Sequence, residues 1–188
     1  MEKITDRVIL GIVSGILAGT PDTIINSLEF RAGMTDIKYG QLGAGLFLKE
    51  KAVDSSKGKI VGQLANYTMI STMGVIITYL LSATGRDKAV VKGAGVGALL
   101  WLAITGIGAK MGLSNQSEKP LAPLLGFFDH LLYGSLCGLI AANLGHSSLF
   151  PDGIERGDAL PLAGAGDASR INDIESRGEM AGNQMLDS

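Results

Sequence analysis

Four long apolar stretches, separated by shorter polar segments, dominate the first 149 residues of this chain. They cover residues 8–30, 60–81, 89–111 and 121–144, and about 20 helical residues are enough to cross ~30 Å of hydrocarbon. A water-soluble helix shows a polar face, whereas the second and fourth stretches would expose Ile, Leu, Met and Phe. The pattern therefore predicts an all-α polytopic membrane protein with four transmembrane helices.

The first stretch carries a break signal near its middle. Thr20 has the residue type of a helix cap, Pro21 suits the first helical position, and Asp22 favours the positive end of a helix dipole. Gly19 could end a preceding helix. Two interpretations remain open: a single spanning helix kinked at Pro21, or two short helices broken there.

The remaining segments divide the chain into a transmembrane domain, residues 1–149, and a tail, residues 150–188. The tail contains eight acidic residues and three arginines, and we expect it to be mostly disordered. The connector 31–59 contains six basic residues, and within it residues 39–48 are apolar but too short to span, which favours a surface or re-entrant helix. The basic N-terminus resembles a signal peptide, but its cleavage pattern is weak, so we expect the first helix to be retained.

Glycine is unusually frequent, 27 of 188 residues, and it recurs at four-residue spacing within the apolar stretches. Small residues at this spacing let two membrane helices approach closely. The faces so formed could pack the helices of one subunit against each other, or could join copies into a homo-oligomer. The predicted helix-packing residues are Gly11, Gly15 and Gly19 in the first stretch, Gly93 and Gly97 in the third, and Gly134 and Gly138 in the fourth.

A few polar residues interrupt the apolar stretches, and their positions predict a polar intramembrane site. Helix direction and spacing place them in the same half of the bilayer. An isolated ionised carboxyl group at this depth costs several kcal/mol, so each carboxyl group there must be paired, protonated or hydrated. A histidine between two aspartates would pair with both and could exchange protons with them. The predicted site residues are Asp22, Asn26, Glu29, Asn66, Asp129 and His130.

Two classes of function follow from this pattern. The first is a small channel or carrier component whose polar site handles protons, ions or a small solute. The second is a non-transporting membrane scaffold, in which the same residues are structural and the connector or tail binds an unknown protein partner. We expect a cell-membrane location and contact with the lipid bilayer. We expect no cofactor, no metal and no enzymatic activity, since nucleophile, phosphate-loop and metal-ligand motifs are weak or absent. We expect no nucleic-acid binding, because neither part of the chain is basic enough.

Three segments carry a resemblance to known proteins. They are "DRVILGIVSGILAG", "TYLLSATGRDKAVVKG" and "FFDHLLYGSLCGLIAANLGHSSLF". In style and layout, residues 5–150 resemble small, uncharacterised four-helix inner-membrane proteins of Gram-positive bacteria, of the YqhR and YagU type. The resemblance implies the four-helix layout and the bacterial membrane. It implies no activity and no functional residues, because that family has no established activity.

Overall fold

A computed structural model describes residues 3–108, 110 and 117–151 of the chain, and every regular element in those ranges is helical. Four helices are long: α1 (Arg7–Arg31), α4 (Ser56–Thr84), α5 (Ala89–Trp101) and α6 (Ala122–Leu144). Two short helices, α2 (Tyr39–Gly45) and α3 (Glu50–Val53), lie in the connector. A π-helical segment, Leu102–Gly108, continues α5, and a 3₁₀ turn, Ser147–Leu149, follows α6. The predicted tail, residues 150–188, lies outside the described residues beyond 151.

Four helical spans in the described residues are long and apolar enough to cross a membrane. They are Arg7–Arg31, Ser56–Thr84, Ala89–Gly108 and Ala122–Leu144, so the predicted second span gains residues at both ends. Their outward faces carry large apolar side chains: Ile60 and Leu64 are each 69% exposed, and Leu99 is 67% exposed. Exposure of such apolar faces to water is unfavourable, whereas lipid hydrocarbon solvates them.

Helix α1 runs without interruption through Pro21, so the alternative of two separate short helices is wrong. Thr20 does not cap a new helix: its hydroxyl instead donates to the Ile16 carbonyl oxygen one turn back, at 2.8 Å. Pro21 removes one backbone donor, but the flanking turns remain helical. The helix begins at Arg7 and is capped by the preceding Asp6, whose side chain accepts a hydrogen bond from the backbone N–H of Ile9. The kink at Pro21 stays a prediction.

Glycines lie where α1 crosses α4. A methyl group added at Gly11 would collide with the backbone of Val75, and one added at Gly15 would collide with the carbonyl of Ile70. Gly74 on α4 lies equally close to α1, against the Gly11 carbonyl oxygen. Gly74 is not among the predicted helix-packing glycines. The two backbones therefore touch with no space for side chains between them.

The crossing of α5 and α6 has the same character. A methyl group at Gly93 would collide with the Gly134 carbonyl oxygen, and one at Gly97 with the carbonyl oxygen of His130. Gly138 lies against the Ala89 carbonyl oxygen. These contacts form within a single chain. They fix the position of α6, which carries two of the predicted polar residues.

The N-terminus and the end of α6 are joined by backbone hydrogen bonds. The Ile4 N–H donates to the Leu144 carbonyl oxygen at 2.9 Å, and the His146 N–H donates to the Ile4 carbonyl oxygen at 2.8 Å. Phe150 then folds back into the core, where it is 1% exposed. The apolar core therefore lies toward this end of the bundle, and it leaves the other end for the polar residues.

The connector forms a short helix as predicted, and this helix packs on α4. Gly43 and Ala44 of α2 are buried, and Gly62 of α4 lies directly against the Gly40 carbonyl oxygen. The α2 segment thus sits beside the second half of α1 and the first half of α4. This placement brings Tyr39, its first residue, into the bundle.

Candidate functional site

A cavity of about 600 Å³ lies among α1, α2, α4, α6 and the π-helical segment. Its walls are mainly apolar. Five of the six predicted site residues line it: Asp22, Asn26, Glu29, Asn66 and His130. The sixth, Asp129, is buried beside it, with 4% of its surface exposed. The polar residues predicted on three different helices therefore lie together in one cluster.

Asp22 is buried in this cluster, but its side chain is not fully hydrogen-bonded. It is 6% exposed, and its Oδ1 atom is buried without a hydrogen-bond partner among the described residues. Leaving a buried polar atom unpaired costs free energy. Asp22 also lines the cavity, so a carboxyl group with an unpaired oxygen forms part of the cavity wall.

Three carboxyl groups share this region. Asp22, Glu29 and Asp129 lie close enough to interact electrostatically. Asp129 accepts a hydrogen bond from Tyr39. The second Glu29 oxygen, Oε2, is buried and unpaired among the described residues. Two carboxyl oxygens of the cluster, Asp22 Oδ1 and Glu29 Oε2, therefore have no hydrogen-bond donor among the described residues.

Tyr39 holds Asp129 in place. The Tyr39 hydroxyl donates to Asp129 Oδ2 at 2.7 Å, and its ring meets the ring of His130 edge-on at a centroid distance of 5.6 Å. Burial, and next the nearby carboxyl groups of Asp22 and Asp129, raise the pKa of the Tyr39 hydroxyl, so this group keeps its proton and remains a donor. Tyr39 is not among the site residues predicted from the sequence.

His130 does not bridge two aspartates, as the Asp–His–Asp arrangement had required. Its Nδ1 lies 2.7 Å from the carbonyl oxygen of Gly126 on its own helix. A carbonyl oxygen only accepts, so Nδ1 carries the hydrogen, and a neutral ring offers Nε2 as an acceptor. Asp129 takes its hydrogen bond from Tyr39 instead. The difference arises because the connector brings a tyrosine to a position that spacing within the spans cannot reveal.

The two asparagines are bonded within the protein. Asn26 donates from Nδ2 to the Ile37 carbonyl oxygen at 3.2 Å, and its Oδ1 accepts from the Tyr39 N–H at 3.1 Å. Asn66 donates from Nδ2 to the hydroxyl of Thr23 at 3.1 Å. Asn26 thus fixes the start of α2 against α1, while Asn66 links α4 to α1. Their polar atoms on the cavity wall also serve the fold.

A polar contact joins two loops beside the cavity. Asp36, in the loop after α1, accepts hydrogen bonds from the hydroxyl of Ser117 and from the backbone N–H of Glu118, the latter at 3.0 Å. The Ser117 hydroxyl, followed by the Glu118 N–H, lowers the pKa of the Asp36 carboxyl. Ser117 itself lines the cavity. We call this contact the Asp36 latch.

The π-helical segment forms one wall of the cavity. Six of its seven residues line the cavity, and none of the seven is buried. Trp101, the residue before it, also lines the cavity, and its indole N–H donates to the Pro123 carbonyl oxygen at 3.1 Å. A π-helical turn is wider than an α-helical turn and is often found at functional sites. No pattern in the sequence predicted this segment.

The residues of the site do not form a metal cluster: among the described residues, no three His, Cys, Asp or Glu side chains are grouped so that they could hold a metal ion. Comparison with known proteins adds no family or fold relationship. No family model, no curated protein and no solved structure matches the chain.

Proposed function

We propose that this chain is a polytopic protein of a bacterial cell membrane and acts as a small carrier or channel component. In this proposal the cavity is the site through which protons, ions or a small solute pass. Support comes from the four helices long enough to span a membrane and from the acidic cluster that faces the cavity between them. Membrane proteins keep ionisable side chains at such depth mainly on substrate or ion pathways.

The observation that carries the proposal is the state of Asp22. A carboxyl group serving only to hold helices together would have its oxygens paired, as the side-chain amides of Asn26 and Asn66 are. Asp22 instead lines the cavity and keeps one buried oxygen without a partner among the described residues. Since that arrangement costs stability, a role for the free oxygen in binding a passing solute accounts for it.

The test is solute movement in liposomes that contain the purified protein. An internal pH dye reports proton movement, and labelled Na⁺, K⁺ and small organic solutes are followed separately. Asp22→Asn keeps the volume of the side chain and removes its charge, and we expect it to abolish the flux. Asp87→Asn makes the same change in the turn between α4 and α5, where Asp87 pairs with Lys92 at 2.9 Å; it should leave the flux unchanged.

The second candidate is a non-transporting scaffold, and the bonding of Asn26 and Asn66 favours it. Both side chains link helices directly, as a purely structural polar cluster would. In that case the parent protein passes no proton, ion or solute between pH 5 and 8, about the range in which histidine titrates. His130→Ala would then lower stability by about 1–3 kcal/mol, and the connector or tail would carry the function by binding a protein partner.

A further inference from the structure

We propose that the cavity binds a small organic ammonium ion: a positively charged amine attached to an apolar body. The inference deepens the proposed function and rests on it for the location of the site. It names the chemical class of the occupant, which the fold and the acidic cluster leave open. Four features of the cavity lead to it: its charge, its size, its apolar walls and its aromatic rings.

The described lining of the cavity contains carboxyl groups and no basic Lys or Arg side chain. Asp22 and Glu29 line it, and each has a buried oxygen without a partner among the described residues. No lysine or arginine occurs among the described residues that line the cavity, and His130 already uses Nδ1 on the Gly126 carbonyl. A bound ammonium group supplies what is missing, because it brings a positive charge and up to three N–H donors.

The cavity is too large for a bare cation. Its volume of about 600 Å³ falls in the range of roughly 300–1,000 Å³ that holds small organic molecules. A small hydrated metal ion would meet mostly apolar walls, and the described residues provide no group of three acidic, histidine or cysteine ligands for it. An organic cation instead places its charge at the carboxyl groups and fills the rest with its apolar body.

The apolar walls and aromatic rings suit that second part. Met69, Leu100 and Ile104 line the cavity, together with the aromatic side chains of Trp101 and Tyr133. Burial of hydrocarbon against such walls favours binding. Aromatic rings also attract ammonium groups through their negatively charged faces. A neutral molecule would use the walls alone, and an anion would be repelled by the carboxyl cluster.

Trp101 provides a direct measurement, because it is the single tryptophan of the chain and lines the cavity. The full-length protein is prepared in lipid nanodiscs and titrated with 2-phenylethylamine while tryptophan emission is recorded. Two probes with the same ring serve as controls: neutral 2-phenylethanol and the anion 3-phenylpropanoate. We expect saturable binding of the amine at least tenfold tighter than that of the alcohol, and no saturable binding of the anion.

Variants then locate the charge that is recognised. Asp22→Asn should raise the dissociation constant for the amine about 10-fold to 100-fold, the usual effect of losing a hydrogen bond to a charged group. Asp87→Asn, which changes an exposed acid outside the cavity, should leave the constant unchanged. If Asp22→Asn does not fold, the comparison of the three probes on the parent protein still decides the matter.

Failure of this inference can be told apart from failure of the proposed function. If Asp22-dependent proton or metal-ion flux occurs but the amine binds no better than the alcohol, the proposed function stands and the inference is overturned. If the amine binds in an Asp22-dependent manner but nothing crosses the liposome membrane, the inference stands and the carrier proposal fails. Equal binding of the amine by the parent and Asp22→Asn would also overturn the inference.

Discussion

Replacing one glycine at the crossing of α5 and α6, with a matched replacement two residues away, tests the packing that holds the site. Gly97 faces α6, and a methyl group there would lie closer than 3.0 Å to the His130 carbonyl oxygen, a separation real side chains do not adopt. Gly95 is on the opposite, exposed side of the same helix and has nothing within 4 Å of an added methyl group.

The two substitutions differ only in what the new methyl group meets. Gly→Ala in a helix gains up to about 1 kcal/mol from backbone entropy and propensity, so Gly95→Ala should raise the free energy of unfolding by up to that amount. Gly97→Ala gains the same stabilisation from backbone entropy and propensity, but its methyl group forces two backbones apart. Such overpacking costs about 1–3 kcal/mol or more. We therefore expect Gly97→Ala to be the less stable of the two by about 1–3 kcal/mol.

The measurement is reversible unfolding in mixed detergent micelles, followed by far-UV circular dichroism for the parent and both variants. The cavity provides a second readout, since movement of α6 would displace His130 relative to Trp101 and change tryptophan emission. Equal stability of Gly95→Ala and Gly97→Ala would refute the reasoning. It would mean that α5 and α6 do not touch through this face, and the placement of His130 and Asp129 would then lose its basis.

Two further predictions concern the connector. Tyr39→Phe leaves Asp129 Oδ2 without its donor and should lower the free energy of unfolding by about 1–3 kcal/mol. The control Tyr79→Phe, at a residue 51% exposed on α4, should leave that free energy unchanged. Equal effects of the two substitutions on unfolding in detergent would contradict the hydrogen bond between Tyr39 and Asp129. The Asp36 latch lowers the pKa of its carboxyl, so it stabilises the folded state above the ordinary aspartate pKa and this contribution disappears as the pH falls through the lowered value. The stability difference between parent and Asp36→Asn should therefore be present at neutral pH and vanish in acid, and a difference independent of pH would count against the latch.

The sequence predicted the helical elements well because a single property, apolar length, decides them. The described part of the chain contains four spans of sufficient length and hydropathy, and a short helix occurs in the connector. The boundaries differed where polar residues continue a helix, as at the start of α4 in Ser56–Thr84. Spacing cannot locate such ends, because a helix can extend into water beyond the membrane.

Pro21 shows why local signals can mislead. Thr20, Pro21 and Asp22 have the residue types of a helix start, yet α1 continues through them. The close contact of Gly15 and Gly19 with α4 holds both halves of α1 along one partner helix. Tertiary packing therefore outweighs the loss of one backbone hydrogen bond at the proline.

The candidate site, too, was predicted from the sequence only in part. Helical spacing brought Asp22, Asn26 and Glu29 to one face, and these residues line the cavity. Tyr39 was missed because its position depends on how the connector folds back onto α4, and its partner Asp129 is 90 residues away along the chain. The π-helical wall was missed because nothing in the residue types of 102–108 distinguishes it from an ordinary continuation of α5.

Water access to the cavity is the most direct test of the central claim, that the acidic cluster faces a site open to solutes. Met69→Cys places a thiol in the cavity wall, whereas Leu64→Cys places one on the exposed apolar face of the same helix. The native Cys137 is buried and serves as an internal control. In nanodiscs, a charged methanethiosulfonate reagent should modify Met69→Cys rapidly and leave the other two thiols unmodified. Absence of modification at Met69→Cys, in protein that retains its helical content, would contradict the account.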